Sequence, residues 1–167
     1  MIIGIAGVSR AGKTSMALQI QKWVGTTNCI ILSQDDYIQD LAKMLKVRDH
    51  VDWEHPSSID YTALLVAVQK AHISSKVVIV EGHLAFCHPE MNLLFDKRIF
   101  IHISKEAFLL RKTLDNRWED EPDWYIEHIW NQHFVHGVIP LEMKDNVLQV
   151  DGEVGYVKKR VKTYLNL

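Results

Sequence analysis

The chain has 167 residues, of which 47% are hydrophobic and 24% charged, and its formal net charge is -2 at pH 7. This length allows one domain with a buried core, at most extended by a small lid. The balanced charge argues against nucleic-acid binding, and no apolar run reaches the roughly 20 residues of a membrane helix. The N-terminal stretch MIIGIAGVSR lacks the charged region of a signal peptide, and Cys29 and Cys87 lie in or beside apolar runs, as reduced thiols do. We therefore expect a cytoplasmic protein without a nucleic-acid or membrane partner.

Short apolar runs alternate with helical patterns along the chain. The apolar runs predict strands at residues 1–6, 29–32, 76–82, 97–103 and 146–150. Apolar residues at helical spacing predict helices at residues 14–24, 57–72, 104–115 and 122–136, with a closing helix after the last strand. In the second helix Ser57 is the predicted N-cap, because Asp60 follows three positions later. The alternation predicts an α/β fold, with a parallel five-stranded sheet and helices on both faces.

The stretch GVSRAGKT, residues 7–14, matches the pattern G-x-x-x-x-G-K-[ST] between a predicted strand and a predicted helix. Its glycines let backbone N–H groups converge on a phosphate, and the N-terminus of the helix adds positive charge. Lys13 would bridge the β- and γ-phosphates, and the Thr14 hydroxyl would hold Mg²⁺. The alternative is a glycine-rich turn with an exposed lysine. We predict that ATP contacts Gly7, Val8, Ser9, Arg10, Ala11, Gly12, Lys13, Thr14 and Ser15.

Carboxylates follow two of the predicted strands. Asp35 comes after the second strand and Glu81 ends the third, and in a parallel sheet both face the crevice beside the phosphate loop. Phosphoryl transfer needs alignment and a group that orients the acceptor hydroxyl, so Asp35 is the predicted base, with Lys13 as the second catalytic residue and Asp36 shaping the turn. The predicted metal ligands are Thr14, Asp35 and Glu81. The alternatives are an Asx-turn or helix cap for the aspartates, and a carboxylate facing water for Glu81.

Three of the five tryptophans, Trp53, Trp118 and Trp124, lie in polar segments rather than in apolar runs. A flat ligand ring stacks well on such residues, and the alternative is a lid that packs on itself. Three cations lie in or near these segments: Arg111, Lys112 and Arg117. On a lid, such cations can stabilise the negative charge of the phosphoryl group during transfer; the alternative is a solvated helix face.

Nine histidines are present, and His133 and His136 share one face of a predicted helix. A transition-metal site needs more ligands than this pair, so we expect the two histidines to pack at the surface or against the lid.

The stretches IIGIAGVSRAGKTS, ILSQDDY and VVIVEGHLAF, with an aromatic and arginine-bearing lid, resemble the nicotinamide riboside kinases within the uridine-kinase-like group of P-loop nucleoside kinases. The resemblance runs over nearly the whole chain. It implies a three-layer P-loop kinase fold formed by a single domain, residues 1–167, with a lid at about residues 112–125. It also implies a nucleoside as the acceptor and ATP with Mg²⁺ as the donor.

The resemblance also implies roles for individual residues. Asp35 matches the family's proton acceptor and Mg²⁺ neighbour, and Glu81 matches its strand-end glutamate. Trp53 and Glu54 stand where the family usually has a Tyr-Asp pair for the base and the ribose hydroxyls. With the lid residues, the predicted acceptor contacts are Asp35, Asp36, Tyr37, Trp53, Glu54, Lys112, Trp118 and Trp124. The further ATP contacts are Arg111, Arg117, Val154 and Gly155, the last two in the loop after the final strand.

Together these features predict an ATP-dependent 5′-phosphotransferase whose acceptor is nicotinamide riboside, with the ring between Trp53 and a lid tryptophan. The alternatives within this class are a uridine or cytidine kinase, or a kinase of another small hydroxylated molecule. A nucleotide-dependent switch is a rival from another class, although KTLD at residues 112–115 does not supply the N-K-x-D motif of guanine-specific switches. A binding module without chemistry is a third possibility. No feature of the sequence indicates the oligomeric state.

Overall fold

The computed structural model describes residues 1–115, 121–155 and 158–167 of the chain. Within these residues, five parallel strands form one sheet in the order β2-β5-β1-β6-β7, and two short antiparallel strands, β3 and β4, form a hairpin. The strands are β1 Ile2–Gly7, β2 Cys29–Ser33, β3 Lys46–Val47, β4 His50–Val51, β5 Val77–Glu81, β6 Lys97–His102 and β7 Leu148–Asp151.

Helices follow the strands in alternation. They are α1 Lys13–Val24, α2 Tyr61–Ser74, α3 Pro89–Leu94, α4 Lys105–Thr113, α5 Asp123–His136 and α6 Lys158–Leu165. The predicted α/β fold is therefore confirmed, and all five predicted sheet strands are present. The hairpin and α3 were not predicted, because their segments are too short to show a period of their own.

The two central strands, β1 and β5, show that the fold has three layers, with the sheet between two layers of helices. Every residue of β1 and of β5 is buried, as expected for strands covered on both faces. One face packs Ile3 and Ile5 against α1, α4, α5 and α6, and the other packs Val78 and Val80 against α2 and α3. Because both faces are covered, the carboxyl ends of the strands remain as the open edge where a ligand can bind.

The start of α2 differs from the prediction. Asp60, and not Ser57, is the N-cap, since its carboxylate accepts a hydrogen bond of 2.9 Å from the backbone N–H of Ala63. The prediction that Ser57 caps this helix is wrong, because the chain first makes a 3₁₀ turn over Pro56–Ser58. The backbone N–H of Asp60 then donates to the Tyr37 carbonyl at 2.8 Å, which fixes Asp60 directly before the helix.

Among the described residues, no helix is both long and apolar enough to span a membrane. Cys29 is buried and Cys87 is partly buried, and both are free thiols. Burial raises the pKa of Cys29 to about 11, so its thiol stays protonated near neutral pH.

Candidate active site

The phosphate loop joins β1 to α1 and contains three residues with positive φ. Gly7 has a φ of 146°, Arg10 of 64° and Gly12 of 103°. A side chain at Gly7 would collide with the backbone carbonyl of Ile101 on β6, so glycine is required there for close packing. The Lys13 ammonium donates to the Val8 carbonyl at 3.0 Å, which places it over the loop. The loop therefore has the curled backbone and the lysine position that phosphate binding requires.

Glu81 lies at the end of β5 beside the first residues of α1. Its Oε1 accepts a hydrogen bond of 2.9 Å from the Thr14 hydroxyl and one of 3.1 Å from the Ser33 hydroxyl. The carboxylate is 4% exposed, so it does not face bulk water, which was the alternative to a metal role. Neighbouring strands β2 and β5 pair Ser33 with Glu81, which explains why these polar groups meet.

Asp35 lies in a 3₁₀ turn, Gln34–Asp36, directly after β2. Gln34 is fully buried in this turn: its amide oxygen accepts from Leu84 N–H at 3.0 Å, and its amide nitrogen donates to the Tyr61 hydroxyl at 3.2 Å. A Cβ at Gly82 would overlap Gln34, which shows how closely the turn packs on the end of β5. Anchored in this way, the turn presents the Asp35 side chain to the cavity described next.

One cavity of about 700 Å³ adjoins the phosphate loop. Its lining includes Lys13 and Thr14 of the loop and the carboxylates of Asp35 and Glu81. It also includes aromatic, acidic and apolar side chains, namely Trp53, Glu54, Tyr125, Ile38, Ile59 and Ile129. The volume falls in the range of small-molecule sites, and the apolar part of the lining suits a flat ring.

Trp53 and Glu54, which are predicted to contact the acceptor, both line the cavity. The Trp53 backbone N–H donates to the Tyr125 hydroxyl at 2.9 Å. The buried Glu54 carboxylate lies 3.4 Å from Nε2 of His83, within ion-pair distance but without hydrogen-bond geometry. Burial raises the pKa of Glu54, and the charges of His83, Lys13 and Lys112 partly oppose that rise.

Two of the three predicted lid cations, Arg111 and Lys112, lie at the cavity, and each is held by a protein group. Arg111 donates to the carbonyls of Arg10 at 3.1 Å and Gly152 at 2.7 Å, so it connects the phosphate loop to the segment after β7. The buried Lys112 ammonium forms an ion pair of 2.6 Å with Glu121. Both cations line the cavity, so neither forms the solvated helix face that was their alternative.

Several predicted site residues do not line the cavity in the structure. The Trp124 ring lies 4.4 Å from the guanidinium carbon of Arg48, in a cation–π contact away from the cavity. Asp36 is exposed. The pKa of its neighbour Tyr37 is raised by burial of the Tyr37 hydroxyl and by the charge of Asp36. The predicted site residues outside the cavity wall are Gly7, Val8, Ala11, Asp36, Tyr37, Trp124, Val154 and Gly155.

Two predicted residues, Arg117 and Trp118, lie outside the described residues. Their roles therefore stay predictions.

Eight residues that line the cavity were not predicted from the sequence: Ile38, Ser58, Ile59, Gly82, His83, Glu121, Tyr125 and Ile129. His83 follows Glu81 by two positions, so the rule that assigned Glu81 to the strand end could also have found it. Tyr125 and Ile129 are spaced i, i+4 and therefore share the inward face of α5, whereas Trp124 lies about 100° around the helix from Tyr125. Helical spacing thus favours Tyr125 over Trp124 as a cavity aromatic.

The oxygen groups of the three predicted metal ligands fit Mg²⁺. A hydroxyl and two carboxylates, from Thr14, Asp35 and Glu81, line the cavity, and Mg²⁺ takes few protein oxygens together with phosphate oxygens and water. Across residues 1–115, 121–155 and 158–167, no group of three or more His, Cys, Asp or Glu side chains could hold a metal by itself. The donor set therefore suits a cation that arrives with a nucleotide.

Known proteins resemble this chain in sequence and in fold. A uridine kinase of Chlamydia pneumoniae is 30% identical to it over 68% of this chain, and the match spans 63% of that kinase. Nicotinamide riboside kinase 1 of Mus musculus is 26% identical, with 90% of this chain and 85% of that kinase covered. The solved structure of a possible uridine kinase from Bacillus stearothermophilus has a TM-score of 0.54 at 19% identity, covering 89% of this chain and 88% of that one. No model of a protein family matches the chain.

The sheet, the phosphate loop and the structural comparison define the fold as that of the P-loop kinases. The predicted resemblance to nicotinamide riboside kinases and uridine kinases is confirmed, since both are found among the relatives. These relatives support a P-loop kinase that acts on a nucleoside or another small molecule.

Proposed function

We propose that this protein transfers the γ-phosphoryl group of ATP to the 5′-hydroxyl of a nucleoside, and that the nucleoside is nicotinamide riboside. The observation that carries the proposal is that one cavity is lined by Lys13 of the phosphate loop, by Asp35, and by Trp53 and Glu54. A donor phosphate and an acceptor hydroxyl have to meet in line, and a cavity of this composition can hold both.

In the proposed reaction each side chain has a separate task. Lys13 and the loop N–H groups hold the β- and γ-phosphates, and Asp35 orients the 5′-hydroxyl and receives its proton. When bound, Mg²⁺ neutralises charge on the phosphates, and Thr14, Asp35 and Glu81 would hold it. Transfer itself requires mainly this alignment and neutralisation.

The side chains around Trp53 and Glu54 favour an acceptor that has a cationic ring attached to a ribose. Trp53 lines the cavity, so a ring bound there would contact its indole, whereas Tyr125, which also lines the cavity, is 1% exposed and packs its ring against His50. A pyridinium cation near an indole gains about 0.5–2 kcal/mol of cation–π attraction. Glu54 would accept hydrogen bonds from the ribose hydroxyls and adds negative charge.

A uridine or cytidine kinase is the second candidate. It is favoured by the uridine kinase relative, which has the higher identity of the two reported, although over a smaller part of the chain. A neutral pyrimidine could contact the same aromatic side chain. Having no positive charge, it would gain nothing from the negative charge of Glu54. The cytoplasmic location, the Mg²⁺ requirement and the place in NAD synthesis belong to this proposal and stay predictions.

The test is an ADP-release assay with ATP and Mg²⁺ against nicotinamide riboside, nicotinic acid riboside, uridine, cytidine and adenosine. Turnover with the pyridine ribosides alone is the expected result. Turnover with uridine or cytidine would keep the fold and mechanism but overturn the acceptor. No turnover with any of the five, together with nucleotide-dependent binding of a partner protein, would instead favour the switch. A Lys13→Ala variant measured in parallel controls for contaminating kinases.

A further inference from the structure

Helix α5 holds the segment 52–54, called here the acceptor loop, through two side chains on one face. Tyr125 and His128 are spaced i, i+3, so they lie one above the other on the helix. The Tyr125 hydroxyl accepts from the Trp53 N–H at 2.9 Å, and Nε2 of His128 lies 2.9 Å from Oδ1 of Asp52. Two successive residues of the acceptor loop are therefore attached to the same helix.

The Asp52 carboxylate also contacts the backbone of Glu54, a residue that lines the cavity. The same Oδ1 that contacts His128 accepts a hydrogen bond of 3.2 Å from the Glu54 backbone N–H. An ionised carboxylate can only accept, so Nε2 of His128 carries the proton and donates it. The result is a continuous connection from His128 through Asp52 to the backbone of Glu54.

Partial burial strengthens this connection. The side chains of His128 and Asp52 are 16% and 14% exposed, so water competes with their contact far less than with a surface ion pair. Neither side chain lines the cavity, whereas Glu54 does. Any effect of His128 on an acceptor must therefore act through the loop.

We propose that His128 is a positioning residue for the acceptor: through Asp52 it fixes the Glu54 backbone and so sets where the Glu54 carboxylate meets the acceptor. This inference rests on the proposed function, because it assigns the role within that acceptor site. A small displacement of a ligand-binding carboxylate is enough to weaken binding, since hydrogen bonds lose strength steeply as their geometry departs from the optimum.

The first test is steady-state kinetics of His128→Leu, His128→Gln and, as a matched control, Asn131→Leu at an exposed position of the same helix. We expect His128→Leu to raise the acceptor KM about tenfold or more, as loss of a hydrogen bond to a charged group does, with the ATP KM changed less than about twofold. Glutamine can donate from a similar position, so His128→Gln should restore most of the affinity. A merely structural role would change both KM values or resist rescue, and either result overturns the proposal.

The second test does not depend on turnover. Hydrogen exchange of the nucleotide-free protein, measured on peptides that contain the Trp53 and Glu54 amides, should show lower protection in His128→Leu and near-normal protection in His128→Gln. Unchanged protection in His128→Leu overturns the connection. If that variant does not fold, His128→Asn, whose amide is too short to reach Asp52, replaces it.

The two tests separate failure of this inference from failure of the proposed function. Wild-type protein that phosphorylates none of the five acceptors overturns the proposed function and with it the acceptor role of His128. Wild-type turnover with an unchanged acceptor KM in His128→Leu overturns the positioning role alone. Turnover, a raised acceptor KM, rescue by glutamine and lost amide protection together support it.

Discussion

Asp35 is presented to the cavity by a turn whose anchor is a different residue. Gln34 supplies the buried contacts, so the Asp35 side chain is left to face the cavity. A carboxylate without a structural task of its own can be altered with little effect on folding, which makes it a clean test of chemistry.

We expect Asp35→Asn to bind ATP nearly normally and to lose phosphoryl transfer by about 10²-fold or more, because an amide cannot accept the hydroxyl proton. ATP binding is measured as a thermal shift, and transfer as the ADP-release rate. Asp36→Asn is the matched control, since the neighbouring carboxylate does not line the cavity. Wild-type turnover in Asp35→Asn would remove Asp35 from the mechanism.

The roles of Trp53 and Trp124 can be distinguished by the same ADP-release assay. Trp53 lines the cavity and Trp124 contacts Arg48 outside it, so Trp53→Ala should raise the acceptor KM about tenfold while sparing the ATP KM, as loss of a stacked aromatic does. Trp124→Ala should change both values much less. An equal rise in the acceptor KM for Trp124→Ala would contradict this separation and would favour the predicted contact between Trp124 and the acceptor ring.

At the scale of elements, the start of α2 gives a direct comparison of two capping residues. Asp60→Ala removes the carboxylate that accepts from Ala63 N–H and should lower the free energy of unfolding by about 1 kcal/mol. Ser57→Ala should cost less, because the Ser57 side chain contacts His55 instead of the helix. Chemical denaturation of both variants measures the difference, and a larger loss for Ser57→Ala would contradict this cap assignment.

The sheet and the phosphate loop could be predicted from the sequence because each is a local pattern. The buried strands are continuous apolar runs, and the residues of the loop are adjacent in the chain. The acceptor side could not be predicted to the same depth, because its contacts join residues far apart in sequence, such as Trp53 with Tyr125 and Asp52 with His128. Gln34 shows the same limit: a polar residue beside an acidic pair gives no sign that it is fully buried.

At the scale of the whole molecule, the strand order brings the phosphate loop, the end of β2 and the end of β5 to one edge. Helix α5 contacts Asp52 and Trp53 through His128 and Tyr125, and it contacts β6 through His133. His133 on α5 packs near Phe100 on β6 with ring centroids 5.9 Å apart, and Lys13, His83 and His102 are close enough to influence its charge. Its protonation is therefore linked to the stability of the whole fold.

Burial, with smaller effects of the nearby cations, lowers the pKa of His133 from about 6.5 to about 4. Between these values the unfolded chain binds a proton that the folded protein does not, so this residue makes the free energy of unfolding fall as pH falls from 6.5 to 4. The raised pKa of Glu54 acts in the opposite direction at acid pH, so the comparison must be between variants. We expect His133→Phe, which keeps the ring packing, to show a shallower decline than the wild type.

Denaturation at several pH values between 6.5 and 4 measures this decline. His72→Phe is the control, because His72 is exposed at the end of α2 and its replacement should leave the slope unchanged. Parallel curves for the wild type and His133→Phe would contradict the assignment.

The two hydroxyls that hold Glu81 also determine when its side chain loses conformational entropy. Fixing a glutamate side chain in one rotamer costs about 1.5–2 kcal/mol. Because Thr14 and Ser33 already donate to Oε1 in the protein alone, this loss accompanies folding and not the arrival of a cation. A protein without the Ser33 hydroxyl would keep every predicted ligand of the cation and still bind it less tightly, since Thr14 alone would hold the Glu81 carboxylate and part of its ordering would be left to cation binding.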